Sequence, residues 1–296
     1  MFVTGATGWI GSAAVDELLT AGHEVVGLAR SEASARSLEA KGATALGGDI
    51  DDLDALRRGS AAADAVLHLA NKHDFGNPAE TNRAERAAVE AIGSALAGRG
   101  RAFLLASGLT GVVSGRPAVE TDASPAVGPD SLRGGSENLA LEYAGRGVRV
   151  VVVRFAPTVH GAADHGFVAQ LVSAARRHGV SAYVGDGGTA WSAVHRVDAA
   201  RLVRLGLESA PAGSRLHAVA EEAVPARAIA EAIGRALGVP AAPVAPEDAE
   251  AHFGFVGRRF GMSITAASEG TRALLGWSPS GPGLLEDIAA GAYSLE

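Results

Sequence analysis

The chain has 296 residues, of which 47% are hydrophobic and 20% charged, an ordinary balance for a globular protein with a sizeable core. A net charge of −7 argues against nucleic acid or an anionic membrane as the main partner, and the absence of cysteine excludes disulfides, thiolate nucleophiles and cysteine metal sites. No apolar run approaches the roughly 18 residues of a membrane span and no leader-like pattern stands at the start, so a cytoplasmic protein is expected.

The predicted elements alternate from the first residues. "FVTG" reads as a strand, "WIGSAAVDELLTAG" as a helix, "EVVGLA" as the second strand and "SEASARSLEAKG" as the second helix. "ATALGGD" gives a short third strand, "DLDALRRG" a short helix and "DAVLHLA" the fourth strand. A long helix over "PAETNRAERAAVEAIGSALAGRG" carries Val89, Ile92, Ala95 and Leu96 on one face, and is followed by the strand "AFLLAS", the helix "SENLALEYAGRG" and the strand "VRVVVVRF". Strands this apolar fit a parallel sheet covered by helices on both faces, and right-handed crossovers make that sheet doubly wound. Beyond residue 155 the rhythm loosens. Helices are predicted over "GFVAQLVSAARRHG", "VDAARLVRLGLESA" and "PARAIAEAIGRALG", a short strand over "SAYVGD", and a strand returning to the sheet near 214–220. "VPAAPVAPED" reads as a loop, and the remainder as short helices. The expected division is a dinucleotide-binding domain over 1–158, with the returning strand, and a smaller cap over most of 159–296.

Gly5, Gly8 and Gly11 form G-x-x-G-x-x-G between the first strand and first helix. Gly5 permits the tight turn, Gly8 lets the backbone approach a pyrophosphate, and Gly11 lets the helix pack close to the sheet, while the helix N-terminus offers free N–H groups to phosphate. "TGATGWIG" resembles the glycine motif of the extended branch of the short-chain dehydrogenase/reductases. Further landmarks fall in the order of that family: "GDIDD", "HLAN", "VVRFAPTVHG" and "WSAVHRVDAARL". The resemblance implies a Rossmann-type sheet of about seven strands in the order 3-2-1-4-5-6-7. It also implies a cofactor held by Gly5, Thr7, Gly8, Trp9, Ile10 and Gly11 at the pyrophosphate, Asp49 and Ile50 at adenine, Leu69, Ala70 and Asn71 at the ribose, and Ala156, Pro157 and Val159 at the nicotinamide. A small-molecule substrate would sit between nicotinamide and cap, and a homodimer is an expected assembly. Where NAD-binding members end the second strand in a carboxylate, this chain has Arg30 and Ser31. A guanidinium matches a 2′-phosphate, so NADP is the expected cofactor.

The family's Y-x-x-x-K dyad is absent. Tyr143 and Tyr183 are each followed four residues on by glycine, Tyr293 lies too near the end, and the two lysines, Lys41 and Lys72, lie elsewhere. Alignment on Ser136 puts Arg133 at the tyrosine position and Glu137 at the lysine position, a gap of one residue puts Gly134 and Asn138 there, and neither choice recovers the dyad; the first reads as a helix-surface ion pair at i, i+4 or as a replacement with Arg133 as electrostatic anchor. The chain thus resembles the atypical members of the family. Ser107 is the candidate to polarise a carbonyl, with Gly108 the other choice for the strict equivalent place and Thr110 near it, and both hydroxyls also read as turn formers. His73 and His160 are candidate proton donors, since imidazole titrates near neutral pH, and His165 lies close by. No metal is expected, because the loop after the sixth strand lacks the helical histidine pair of a persuasive zinc motif. The leading reading is an NADP(H)-dependent oxidoreductase acting on a small carbonyl or alcohol. The alternatives are a cofactor-binding sensor without turnover and an epimerase or lyase that uses nicotinamide transiently.

Overall fold

Strand and helix alternate from the second residue of the computed structural model, which describes residues 1–74 and 76–293. In chain order the first half comprises β1 (Phe2–Thr4), α1 (Trp9–Thr20), β2 (Val26–Ala29), α2 (Glu32–Ala40), β3 (Thr44–Gly47), α3 (Leu53–Ala62), β4 (Ala65–His68), α4 (Pro78–Leu96), β5 (Ala102–Gly108), α5 (Ser136–Glu142) and β6 (Arg149–Phe155). The second half comprises β7 (Thr158–His160), α6 (Phe167–His178), β8 (Ser181–Val184), β9 (Ala190–His195), α7 (Arg196–Ser209), β10 (Ser214–Ala218), β11 (Glu221–Pro225), α8 (Ala226–Leu237), β12 (Ala241–Val244), α9 (Ala249–Phe253), α10 (Val256–Phe260), α11 (Glu269–Leu275) and α12 (Leu284–Ala289).

Seven strands form one parallel sheet in the order β10-β6-β5-β4-β1-β2-β3. With β10 as the seventh strand this is the expected Rossmann-type order. The direction of winding reverses beside β1, between β2 and β4, and open α/β sheets bind ligands at the carboxyl ends of the strands at such a point. The strand period of two sorts the core. Val3, Leu67, Leu104 and Val151 face one layer with Leu18 of α1 and Leu202 of α7. Their neighbours Phe2, Val66, Phe103 and Val150 face the other, with Leu56 of α3 and Ile92 of α4.

The later part holds a three-stranded sheet, β11-β9-β7, and a two-stranded one, β12-β8. β7, β9 and β11 are too short and irregular to announce themselves as strands. "VPAAPVAPED" is not only a loop, since Ala241–Val244 pairs in parallel with β8. Pro243 is tolerated because an edge strand leaves N–H groups on its open side unpaired. α7 packs against α1, so this helix and β10 belong to the layered sheet although both lie beyond residue 158. No helix among the described residues is long and apolar enough to cross a membrane.

Candidate active site

The glycine turn is built by exclusion of side chains. Gly5 has φ +66°, and a Cβ there would press on the backbone of Leu69 and Ala70 at 2.8 Å. A Cβ on Gly11 would overlap the Gly5 carbonyl oxygen. Gly8 donates its N–H to Gly5 O at 2.9 Å and forms the N-cap of α1 without any side-chain capping bond or acidic residue in the first turn. The first N–H groups of α1 are therefore open to an anion, in a cradle narrow enough for backbone contact. Thr7 and Gly8 are exposed, and Trp9 and Ile10 half-buried. The Trp9 indole donates to Val159 O at 2.6 Å and lies under the Arg196 guanidinium, 4.3 Å from its ring centroid. It thereby fastens the glycine turn to the loop of Ala156, Pro157 and Val159.

The rim of the crevice holds the other expected cofactor residues. Leu69 donates its N–H to Thr4 O, and Ala70 to Thr4 Oγ1, which lays the β4 exit beside the glycine turn. Asp49 turns the chain after β3, its Oδ1 accepting from the N–H groups of Asp51 and Asp52, and Ile50 packs on the core layer of α3. Arg30 is exposed at the end of β2 and has no side-chain partner among the described residues. Ser31 has a structural task as the N-cap of α2, accepting from Ser34 N and donating to Ser34 Oγ.

The β5–α5 corner departs from expectation. Arg133 and Glu137 do not pair, and Arg133 is not on the helix. Arg133, Gly134 and Gly135 have φ of 56°, 60° and 64°, three left-handed residues in succession. A Cβ on Gly134 would meet Asn82 O at 2.7 Å and one on Gly135 would meet Gly128 N at 2.8 Å, so glycine fits both positions, whereas Arg133 bears the strain of its conformation. The turn swings the guanidinium across to α4. There Nε donates to Glu85 Oε1 at 2.9 Å, Nη2 donates to the same oxygen, and Nη2 also donates to Ala106 O at 3.0 Å. Asn71 donates to the other oxygen of Glu85 and accepts from His73 N at 2.8 Å. Burial pushes the Glu85 carboxyl above its ordinary range, against the opposing pull of Arg133 and Asn71.

Glu137 finds its partners on the sheet. Arg154 Nη2 donates to its Oε1 at 2.6 Å and Nε to its Oε2 at 3.2 Å, while Arg215 Nε reaches Oε1 at 3.3 Å. Arg154 is fully buried and also binds Asp122 O and His217 Nε2. Burial raises the Glu137 pKa, but the bonds and charge of Arg154, with Ser107 and Arg215, outweigh it and hold the carboxyl below its ordinary value. Ser107 donates to Glu137 Oε2 at 2.8 Å. The expectation that its hydroxyl hydrogen would polarise a carbonyl is thus corrected, since that hydrogen already has an acceptor.

The two histidines separate. His160 is fully buried, not open at the cofactor edge, because its Nδ1 bonds Asp287 Oδ2 of α12 at 2.6 Å, and its Nε2 lies 3.9 Å from Glu221. His73 sits on the β4–α4 loop with φ +51°. Burial, then the charges of Arg133 and His165, lower its pKa. None of the tyrosines stands at the corner: Tyr143 binds Glu90 O and Ser94, Tyr293 binds Asp164, and Tyr183 packs beneath Arg227. No group of three or more metal-ligating side chains among the described residues is placed to hold a metal ion.

Sequence reasoning overlooked Glu85, Arg154 and Arg215. A signal existed for two of them. Glu85 lies on the buried face of α4 with Val89 and Ile92, and Arg154 interrupts the wholly buried end of β6. A charge on such a face is buried only when paired.

Residues 1–218 match the NAD dependent epimerase/dehydratase family. The chain is 44% identical over 293 residues to an uncharacterized protein of Schizosaccharomyces pombe, with 99% of each chain covered. It is 31% identical over 183 residues to 4-hydroxy-2-methyl-3-oxo-4-farnesyl-3,4-dihydroquinoline-1-oxide ketoreductase of Stigmatella aurantiaca, covering 59% of this chain and 54% of that one. Among solved structures, a dTDP-glucose 4,6-dehydratase of Streptomyces venezuelae with NAD bound superposes with a TM-score of 0.79 at 20% identity, over 98% of this chain and 95% of that one. At that identity the likeness speaks for the fold alone.

Proposed function

From membership of the NAD dependent epimerase/dehydratase family, to which the chain belongs, we propose that it is an NADP(H)-dependent oxidoreductase acting on a small carbonyl or alcohol. The observation that carries the reading is Arg133, a cation anchored at the carboxyl edge between the β4 exit and β5. The ketoreductase named above adds support for carbonyl reduction. The open helix end after Gly8, with Gly5, Thr7, Trp9, Ile10 and Gly11, fits the pyrophosphate. Asp49 and Ile50 border the adenine, Leu69, Ala70 and Asn71 the ribose, and Ala156, Pro157 and Val159 the nicotinamide. The unpaired Arg30 guanidinium supports NADP over NAD, because a 2′-phosphate gives it a partner of opposite charge.

When bound, the cofactor supplies or takes the hydride. This chain's residues then manage charge and proton. Since the Ser107 hydrogen is held by Glu137, stabilisation of the alkoxide oxygen falls to Arg133, whose guanidinium donates without titrating. His73 handles the proton. In carbonyl reduction the bound cofactor would supply the hydride, and His73 would give its proton to the substrate oxygen. The lowered pKa of His73 favours its role as the base in alcohol oxidation. Reduction should therefore slow as pH rises through a value below the ordinary 6.5 of histidine.

The test is NADPH oxidation over a panel of small carbonyl compounds. Arg133→Gln should lower kcat on any active compound by about 10²-fold, as for the loss of an oxyanion donor, with NADPH affinity within a small factor. Full kcat in Arg133→Gln would remove Arg133 from the chemistry. Tight NADPH binding with no compound reduced would favour a sensor.

A further inference from the structure

Arg196 is a cation in a place that disfavours one. It is the first residue of α7, the end of a helix at which the peptide dipoles oppose positive charge. Asp198, the acidic residue of that first turn, is turned away, its two oxygens accepting from Ser280 N at 3.0 Å and Gly281 N at 2.8 Å. The Arg196 guanidinium lies over the Trp9 ring, 4.3 Å from the centroid, and has no hydrogen-bond or ion-pair partner among the described residues. Building on the reading of the crevice as a dinucleotide site, we infer that Arg196 is a cofactor-binding residue, whose guanidinium donates to the diphosphate bridge of the dinucleotide with the Trp9 ring as its seat.

Side-chain pairs between the two helices fix where Arg196 stands. Arg204 Nε of α7 donates to Glu17 Oε1 of α1 at 2.8 Å, and further along Glu208 Oε1 meets His23 Nε2 at 2.8 Å. Arg204 and Glu17 each come eight residues after the first residue of their helix. α7 and α1 therefore run parallel and in step, and Arg196 stands level with Trp9 at the mouth of the glycine turn. Trp9 follows Gly8 directly, and its indole bond to Val159 O keeps the ring from leaving the turn.

The ring attracts the charge of the guanidinium but offers its N–H groups no lone pair, so the fork is held in place with its hydrogens still available. Beside it lie the uncapped first N–H groups of α1. A diphosphate brings negative charge and more acceptor oxygens than the helix end alone can engage, and a guanidinium can bond two of them at once. The two arginines of the crevice then divide the nucleotide. Arg30, at the end of β2, would meet the 2′-phosphate that NADP alone carries, whereas Arg196, from the later half of the chain, would meet the bridge that every dinucleotide shares.

Calorimetric titration with NADPH, NADH and ADP-ribose tests this, since the three share the diphosphate and differ in the 2′-phosphate and the nicotinamide. Arg196→Met keeps an aliphatic stem on Trp9 and removes the charge. It should lower the affinity for all three by one common factor, about tenfold or more, as for the loss of a charge-assisted bond, while the unfolding midpoint of the ligand-free variant stays near that of the parent. Arg196→Lys keeps the charge and loses the fork, so it should show a smaller common loss, and it decides alone if Arg196→Met does not fold. A loss for NADPH alone would give Arg196 to the 2′-phosphate, and a loss that spares ADP-ribose would give it to the nicotinamide half. Unchanged affinities, with or without a lowered unfolding midpoint, would leave it a structural partner of Trp9 or a contact of the substrate. Each of these overturns the inference and leaves the dinucleotide reading standing. A parent protein that binds none of the three overturns that reading and the inference with it. A common loss beside no NADPH turnover of any carbonyl compound keeps the inference and overturns the oxidoreductase reading alone.

Discussion

The glycine turn and the β5–α5 corner lie on the same edge of one sheet, yet they are built by opposite means. At the turn, side chains are left out: Gly5 and Gly11 have no room for a Cβ, and backbone N–H groups face the crevice. At the corner, charge is packed in. Glu85 and Glu137 are both buried, each beneath an arginine, and one of those arginines, Arg154, is itself without exposure. On the proposed reading the turn would take a ligand of fixed chemistry, a pyrophosphate, for which open backbone suffices. The corner holds its groups in one geometry through paired hydrogen bonds, despite the desolvation that burial imposes on them.

If the corner rests on compensated charge, removing one charge from it should do more damage than any change at the rim of the turn. Glu137→Ala leaves Arg154 buried without its carboxylate, and breaking a buried pair in this way costs about 3–5 kcal/mol. Urea unfolding of the variant checks this. A loss below about 0.5 kcal/mol, the range of an exposed helix pair, would return Glu137 to the surface role that its i, i+4 spacing from Arg133 suggests.

Acid should find the corner before it finds the turn. His68 lies at the end of β4 with Nδ1 against Thr4 Oγ1 at 2.6 Å and Nε2 unpartnered. Burial first, then the Arg133 charge, lower its pKa to about 3. The unfolded chain takes a proton near the ordinary 6.5, the folded chain only near 3, so between these values the unfolded state binds more protons and stability falls with pH. Above 6.5 both states are neutral and the effect vanishes. His73 and His217, also lowered by burial, act with the same sign. His68→Leu should remove one proton from the linkage, about 1.4 kcal/mol per pH unit, visible as a shallower loss of stability between pH 6 and 5. Parallel curves for variant and parent would show that His68 protonates within the fold.

The contrast also explains what could be read from the residues in order. The glycine turn is local: its three glycines, the strand before and the helix after lie within twenty residues, and period and spacing announce them. The doubly wound order follows from the same local alternation, with β10 completing it. The corner is assembled from distant parts, Glu85 on α4, Arg133 on a turn, Arg154 on β6 and Arg215 on β10. Nothing in the interval from 133 to 137 reveals that Gly134 and Gly135 extend a left-handed turn that sends Arg133 to α4 and leaves Glu137 facing the sheet. His160 was misplaced for a related reason. Its partner Asp287 lies 127 residues on, in α12, and nothing beside His160 in the chain announces that bond.

The finest distinction lies on the rim of the turn, between two adjacent residues that the sequence offers together as a 2′-phosphate site. Arg30 is exposed and has no side-chain partner among the described residues, while Ser31 caps α2 through Ser34. If the rim recognises phosphate by charge alone, the two should separate on substitution. Arg30→Asp should lower NADPH affinity about tenfold or more, the loss of a charge-assisted bond worth roughly 1.5–3 kcal/mol, and NADH affinity should change less. Ser31→Ala should cost about 1 kcal/mol of stability through the lost cap and leave the ratio of NADPH to NADH affinity nearly unchanged. Fluorescence titration with both nucleotides, read beside thermal unfolding, tells the outcomes apart. Equal losses for NADPH and NADH in Arg30→Asp would sink the phosphate assignment. A fall in the NADPH preference of Ser31→Ala would instead show that the capping hydroxyl turns to the ligand when the nucleotide binds, so that the rim joins a structural bond to recognition much as the corner does.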